Sequence, residues 1–208
     1  MRRISRRAVL AGYGLAPVAG SLLAQQWNGP TVSSREVIRD RYFPNVVLRT
    51  HQNKKVRFYD DLIKDKIVTI NFMYAQCEGF CPAITSNLVK VQKLLGRRVG
   101  RDIFMYSITL KPEEDTPSAL RNYAQMHGAE PGWVFLTGQP ADIELLRRKL
   151  GFTDPDPIVD ADKSNHIGNV RYGNEALQFW AACPGLAKPE WIVESISWVD
   201  WPKNKSAL

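Results

Sequence analysis

The chain reads as an α/β layered fold. Three nearly continuous β-former runs, Ile67 to Met73, Ile103 to Thr109 and Trp133 to Leu136, alternate with segments of helical period. Unbroken apolar strands belong to a central sheet covered on both faces, and strand–helix alternation is the pattern of layered α/β domains. At 208 residues, 44% hydrophobic and 24% charged, the chain has room for one core and a leader.

The elements follow in order. Arg2, Arg3, Arg6 and Arg7 form a charged start, and Ala8 to Ala24 is an apolar stretch broken by glycines and Pro17. This is a poor membrane span and a fair export signal, and Ser5 to Leu10 resembles a twin-arginine motif. Residues 1–24 are therefore expected to be an export signal or an N-terminal anchor, with cleavage and anchoring both open. Residues 25–45 read as an irregular polar tether, and residues 46–208 as the domain. Val46 to Leu48 and Val56 to Phe58 flank Asn53-Lys54-Lys55 as a hairpin.

Ile67 to Met73 runs into Cys77-Glu78-Gly79-Phe80-Cys81-Pro82, after which Ile84, Leu88, Val91 and Leu95 recur at helical spacing up to Gly96. Asp115-Thr116-Pro117 is a helix start, with a capping hydroxyl or carboxylate before proline, and that helix ends at His127-Gly128. Pro140 opens another helix, to Gly151. Phe152 to Asn165 reads as irregular. Val170 to Tyr172 and Leu177 to Trp180 are expected to form a hairpin turning at Gly173-Asn174-Glu175, followed by an amphipathic segment from Trp191 to Trp201.

The net charge of +7 includes the four leader arginines, and no acid precedes Glu36. Little excess charge remains on the domain and no nucleic-acid signature accompanies it, so no nucleic-acid partner is expected. Three cysteines are an odd count for a disulfide framework, so their chemistry is the more informative question. A helix N-terminus stabilises thiolate, so Cys77 and Cys81 can hold a soft metal or close a disulfide. Among the histidines, His127 sits at a helix end and His51 beside Lys54 and Lys55 reads as a solvated surface residue. His166 stands in a long loop with no evident packing duty, which makes it the candidate ligand. Cys183 reads as a buried thiol, Glu78 as solvated, and Met73 as core.

The order of these features resembles the Sco/SenC family. The residues that carry the resemblance are Asn71-Phe72-Met73-Tyr74 leading into Cys77 and Cys81-Pro82, Ser107 through Pro117, Leu136-Thr137-Gly138, and His166. It covers roughly residues 46 to 175. The sequence departs from the family pattern at Glu78-Gly79-Phe80 between the cysteines, at Lys111, at Asn165 and at Arg171. The resemblance implies a thioredoxin-like fold, a central mixed sheet flanked by helices with a β-hairpin insertion after the distal histidine. It implies one copper ion, Cu(I) or Cu(II), held by Cys77, Cys81 and His166, and delivery to a copper-acceptor protein such as a cytochrome c oxidase subunit. Two thiolates and one imidazole suit that ion, and three ligands leave a position through which a partner can extract it.

The alternative is a thiol–disulfide oxidoreductase in which Cys77 and Cys81 are the redox pair and His166 handles protons. Whether the chain is an enzyme stays open on that choice. A peroxidase-like enzyme would want Thr or Ser where Tyr74 stands. The remaining expectations are a monomer in the periplasm or another exported setting, with an N-terminal membrane tether left open.

Overall fold

The structure, a computed structural model, describes residues 33–162 and 168–200. Residues 1–32, His166 and the residues beside it, and the segment after Asp200 lie outside the described residues.

The first element is α1 (Ser34–Tyr42), inside the stretch read as an irregular tether. Its cause is local. Ser33 accepts the Glu36 N–H and the Glu36 carboxylate accepts the Ser33 N–H, a reciprocal capping box. Then come β1 (Val47–Thr50) and β2 (Lys55–Arg57), turning where expected, with Asn53 at φ 61°. A wide helical turn, Phe58–Ile63, buries Phe58, Tyr59, Leu62 and Ile63.

β3 (Ile67–Met73) is buried at every position, which is why its sequence shows no alternation. α2 (Cys81–Leu95), β4 (Ile103–Thr109), α3 (Pro117–Met126), β5 (Trp133–Gly138) and α4 (Pro140–Lys149) fall where the periodicity places them. Within the run read as irregular lies α5 (Pro157–Ala161), started by Asp156 accepting the Ile158 N–H and by Pro157 in the first turn. The last described elements are β6 (Asn169–Asn174), β7 (Phe179–Pro184) and α6 (Pro189–Trp198).

The seven strands form one sheet in the order β2-β1-β5-β4-β3-β6-β7. β3, β4 and β5 are parallel, and the outer pairings are antiparallel. Among the described residues this is a central mixed sheet with helices on both faces, as expected. Tyr123 of α3 meets Phe135 on one face, and Thr85 of α2 meets the Tyr123 hydroxyl at 2.8 Å. On the other face Ile143 of α4 packs by Leu48 and Gly138, while the Phe152 ring meets that of Phe72 at 4.8 Å and a tilt of 58°.

The hairpin after the distal histidine is part of the sheet, because β6 pairs with β3. Its turn lies two residues later than the glycine signal indicated, at residues 175–178, and Gln178 supplies the positive φ of 54°. Gly173 stays in the strand, paired with Trp180, because the indole occupies its open face. A Cβ there would meet the ring at 2.3 Å.

A buried carboxylate joins distant parts of the chain. Glu175 is 1% exposed and accepts Arg35 Nε at 2.7 Å, the Tyr59 hydroxyl at 2.9 Å and the Asp65 N–H at 2.8 Å. This binds α1 to the domain. Among the described residues no helix is long and apolar enough to cross a membrane.

Candidate metal centre

Because β3 is central and parallel, its carboxyl end delivers the chain to the edge of the sheet, where ligand sites of open α/β sheets are found. The loop from Tyr74 to Phe80 then returns into α2. Cys81 is the first residue of that helix and Cys77 stands in the loop before it. The sulfurs therefore come together across a loop–helix junction. Neither cysteine is in a disulfide, and both are buried, at 6% and 1% exposure.

α2 starts without a side-chain cap, since Phe80 at the capping position offers no acceptor. The Cys77 sulfur fills that role. It takes hydrogen bonds from the Cys81 thiol, the Cys81 N–H, the Tyr74 hydroxyl and the Gly79 N–H. Burial opposes ionisation of Cys77, but these donors outweigh it and its pKa is lowered. Cys81 moves the opposite way, raised by burial and by its contact with Cys77. Cys77 is thus the readier of the two to ionise and Cys81 the less ready, an asymmetry suited equally to metal binding and to thiol exchange.

Residues read for other reasons prove to support this loop. Thr116 caps α3 through the Ala119 N–H, which frees Asp115 to turn inward. Asp115 is 2% exposed and accepts the Ala75 N–H at 3.0 Å, two residues before Cys77, and the Thr109 hydroxyl. Burial raises its pKa. The Lys111 ammonium lies 4.6 Å from the centre of the Tyr74 ring, a cation–π contact at the hydroxyl that touches Cys77. The Asp-Thr-Pro signal marks the helix start but does not separate the capping residue from the one that holds the thiol loop.

The other expected side chains sort clearly. His51 is half-buried, its Nδ1 accepting the Phe135 N–H at 3.1 Å, and burial lowers its pKa. This corrects the solvated reading: an amide of β5 just past the end of β1 takes the ring. His127 ends α3 with its ring 4.3 Å from that of Tyr123. Met73 is core and Glu78 exposed, as expected. Cys183 is 3% exposed on β7, and burial pushes its thiol up to about 11. It does not join the pair, because among the described residues no three His, Cys, Asp or Glu side chains gather into a metal-binding group. His166 lies outside the described residues.

A mixed seven-stranded sheet with a Cys-x3-Cys loop leading into a helix defines a thioredoxin-like thiol domain. The SCO1/SenC family model matches residues 47–199, and the chain belongs to that family. The SCO1 protein homolog of Bacillus subtilis is 30% identical over 89 residues, 42% of this chain and 46% of that protein. The chain thus matches about half the length of the curated relatives. Bradyrhizobium japonicum ScoI, solved with copper bound, superposes with TM-score 0.60 at 22% identity, covering 74% of this chain and 96% of that one. BsSco, described as a member of the Sco family of cytochrome c oxidase assembly proteins with a disulfide switch, superposes with TM-score 0.62 at 21% identity, covering 76% and 92%.

Proposed function

We propose that this chain binds one copper ion through Cys77, Cys81 and His166 and delivers it to a copper-acceptor protein during respiratory oxidase assembly, a cytochrome c oxidase subunit being the expected recipient. The observation that carries this reading is the meeting of two buried cysteines outside any disulfide, one lowered and one raised in pKa, at a helix N-terminus without a side-chain cap. Thiolate is soft enough for Cu(I), and imidazole accommodates Cu(II).

Support for His166 comes from the residues on either side of it. Asp162 lies close enough to Tyr74 for its charge to act on the phenol that touches Cys77. Gly168 packs on Ile84, where a Cβ would meet the side chain at 3.0 Å, and Ile84 is one turn beyond Cys81. The copper-bound ScoI relative fits this reading.

The second reading is thiol–disulfide exchange with a copper-site partner. It is favoured by direct contact between the two thiols and fits the disulfide switch of BsSco. The domain would work as an exported monomer, with residues 1–24 as its signal or anchor.

Elemental analysis of the purified protein tests the choice. One copper per chain is expected, with thiolate-to-Cu(II) charge-transfer bands that disappear in Cys77→Ser and Cys81→Ser. His166→Ala should lose most of the copper, and His51→Ala and His127→Ala should keep it. Full retention in His166→Ala defeats the three-ligand site. No retained copper, with a readily reducible Cys77–Cys81 disulfide, assigns the protein to exchange.

A further inference from the structure

The thiol loop leaves the carboxyl end of β3. At the other end of the parallel strands, residues 99–101 and 131–132 enter β4 and β5 beside the β1–β2 hairpin and the Phe58–Ile63 turn. A cleft of about 700 Å³ opens between these segments. Phe104 and Tyr106 are alternate residues of β4, and Val134 is the β5 partner of Tyr106. All three therefore project from one face of the sheet and form the floor, with Val56 and Leu62 to the side.

Two features make this more than an apolar dent. Tyr106 is 3% exposed, and its hydroxyl has no hydrogen-bond partner among the described residues. The hydroxyl oxygen is not among the fully buried unbonded atoms, so it meets the open cleft and can donate to whatever occupies it. The rim is also unbalanced, with Lys54, Lys66 and Arg101 against the single acid Asp61. Arg101 is held by Asp102 at 2.9 Å. The Lys66 ammonium donates to the Asp61 backbone carbonyl and lies 5.5 Å from the centre of the Phe104 ring. Burial lowers its pKa, so an anion beside it would offset a standing cost.

We propose that this cleft binds a small amphipathic anion, an aromatic or alkyl carboxylate or sulfonate. Its apolar body would lie on Phe104 and Val134, and its charged group would take the Tyr106 hydroxyl and the Lys66 ammonium. An apolar wall with a few convergent polar groups is the usual make-up of a small-molecule site. The site uses none of the residues assigned to copper or thiol chemistry.

The test uses the full chain and the fluorescent anion 8-anilinonaphthalene-1-sulfonate. Saturable binding of one probe per chain is expected. Tyr106→Phe, which keeps the ring, should weaken it about tenfold, the worth of one hydrogen bond to a charged group, and Lys66→Gln by a similar factor. The uncharged N-phenyl-1-naphthylamine should bind more weakly and ignore Lys66→Gln. In an independent measurement, octanoate should shift the backbone amide resonances of Gly100, Phe104, Gly132 and Val134. Absence of saturable binding, unchanged affinity in both variants, or octanoate shifts confined to other parts of the sheet would overturn the assignment.

Discussion

Replacing Asp115 tests whether the thiol loop is held by the segment that follows the neighbouring strand β4. Its carboxylate accepts the Ala75 N–H at 3.0 Å and the Thr109 hydroxyl, and it is 2% exposed. Hydrogen bonds to a charged group contribute about 1.5–3 kcal/mol each, and relief of carboxylate burial offsets part of their loss. Asp115→Ala should therefore cost about 2–3 kcal/mol, with both donors left facing an apolar wall. Asp115→Asn keeps one acceptor oxygen, and the Thr109 hydroxyl can turn to accept the new amide, so about 1 kcal/mol is expected. Urea unfolding at neutral pH reads both values. At about 2–4 °C per kcal/mol, the alanine variant should melt about 4–12 °C lower. The pH dependence has a definite sign. Burial raises the folded-state pKa above the ordinary 3.8, so the folded protein holds this proton more tightly than the unfolded chain. The contribution is fully present below the unfolded value and declines as pH rises through the folded one. The penalty of Asp115→Asn should accordingly shrink as pH rises from about 4 toward neutral. Amide exchange at Ala75 should quicken in the alanine variant. An alanine penalty under about 0.5 kcal/mol, or unchanged exchange at Ala75, would show that Asp115 does not hold the loop.

Three further outcomes follow from other sites. Glu175 has the opposite linkage: burial pushes its pKa up, but Arg35, the Asp65 N–H and the Tyr59 hydroxyl more than offset this and hold it below the ordinary 4.5. Glu175→Gln should cost about 2 kcal/mol at neutral pH, discounted for the partly exposed Arg35, and the cost should fade as pH falls through the folded pKa; a pH-independent penalty refutes the ion pair. Gly173→Ala puts a methyl 2.3 Å from the Trp180 ring and 2.7 Å from the Phe179 carbonyl, and should lower stability by about 3 kcal/mol in urea unfolding; near-neutrality would mean that the indole moves freely. Iodoacetamide at pH 8 should label Cys77 first and leave Cys183 unmodified until unfolding, as mass spectrometry can follow; early labelling of Cys183 would contradict its burial.

What the sequence reveals depends on the distance over which a residue acts. β3 and β4 are legible because burial on both faces removes polar alternation, and α2 because its apolar residues keep a helical period. α1 and α5 carry readable signals as well, the Ser33–Glu36 capping box and Asp156 before Pro157, each hidden in a segment whose polarity masks it. The hairpin turn is displaced because a glycine can serve a close approach as well as a turn, and only the position of Trp180 decides which. Cys77 and Cys81 are visible as a pair, but the asymmetry between them is not. It depends on Tyr74 and on which residue starts the helix. Asp115 reaches Ala75 across 40 residues of chain, and Glu175 reaches Arg35 across 140, distances over which no local pattern operates.

The open start of α2 makes the Cys77 sulfur part of the helix's own hydrogen bonding. The Cys77 sulfur already occupies the place of a helix cap, answering the N–H groups of Gly79 and Cys81. Any ion that draws electron density from that sulfur, and any second sulfur that bonds to it, competes with the helix for the same lone pairs. If copper is held there as proposed, loading would loosen the first turn and unloading would tighten it. The backbone would then act as a rival ligand, and release would be assisted from within the protein itself.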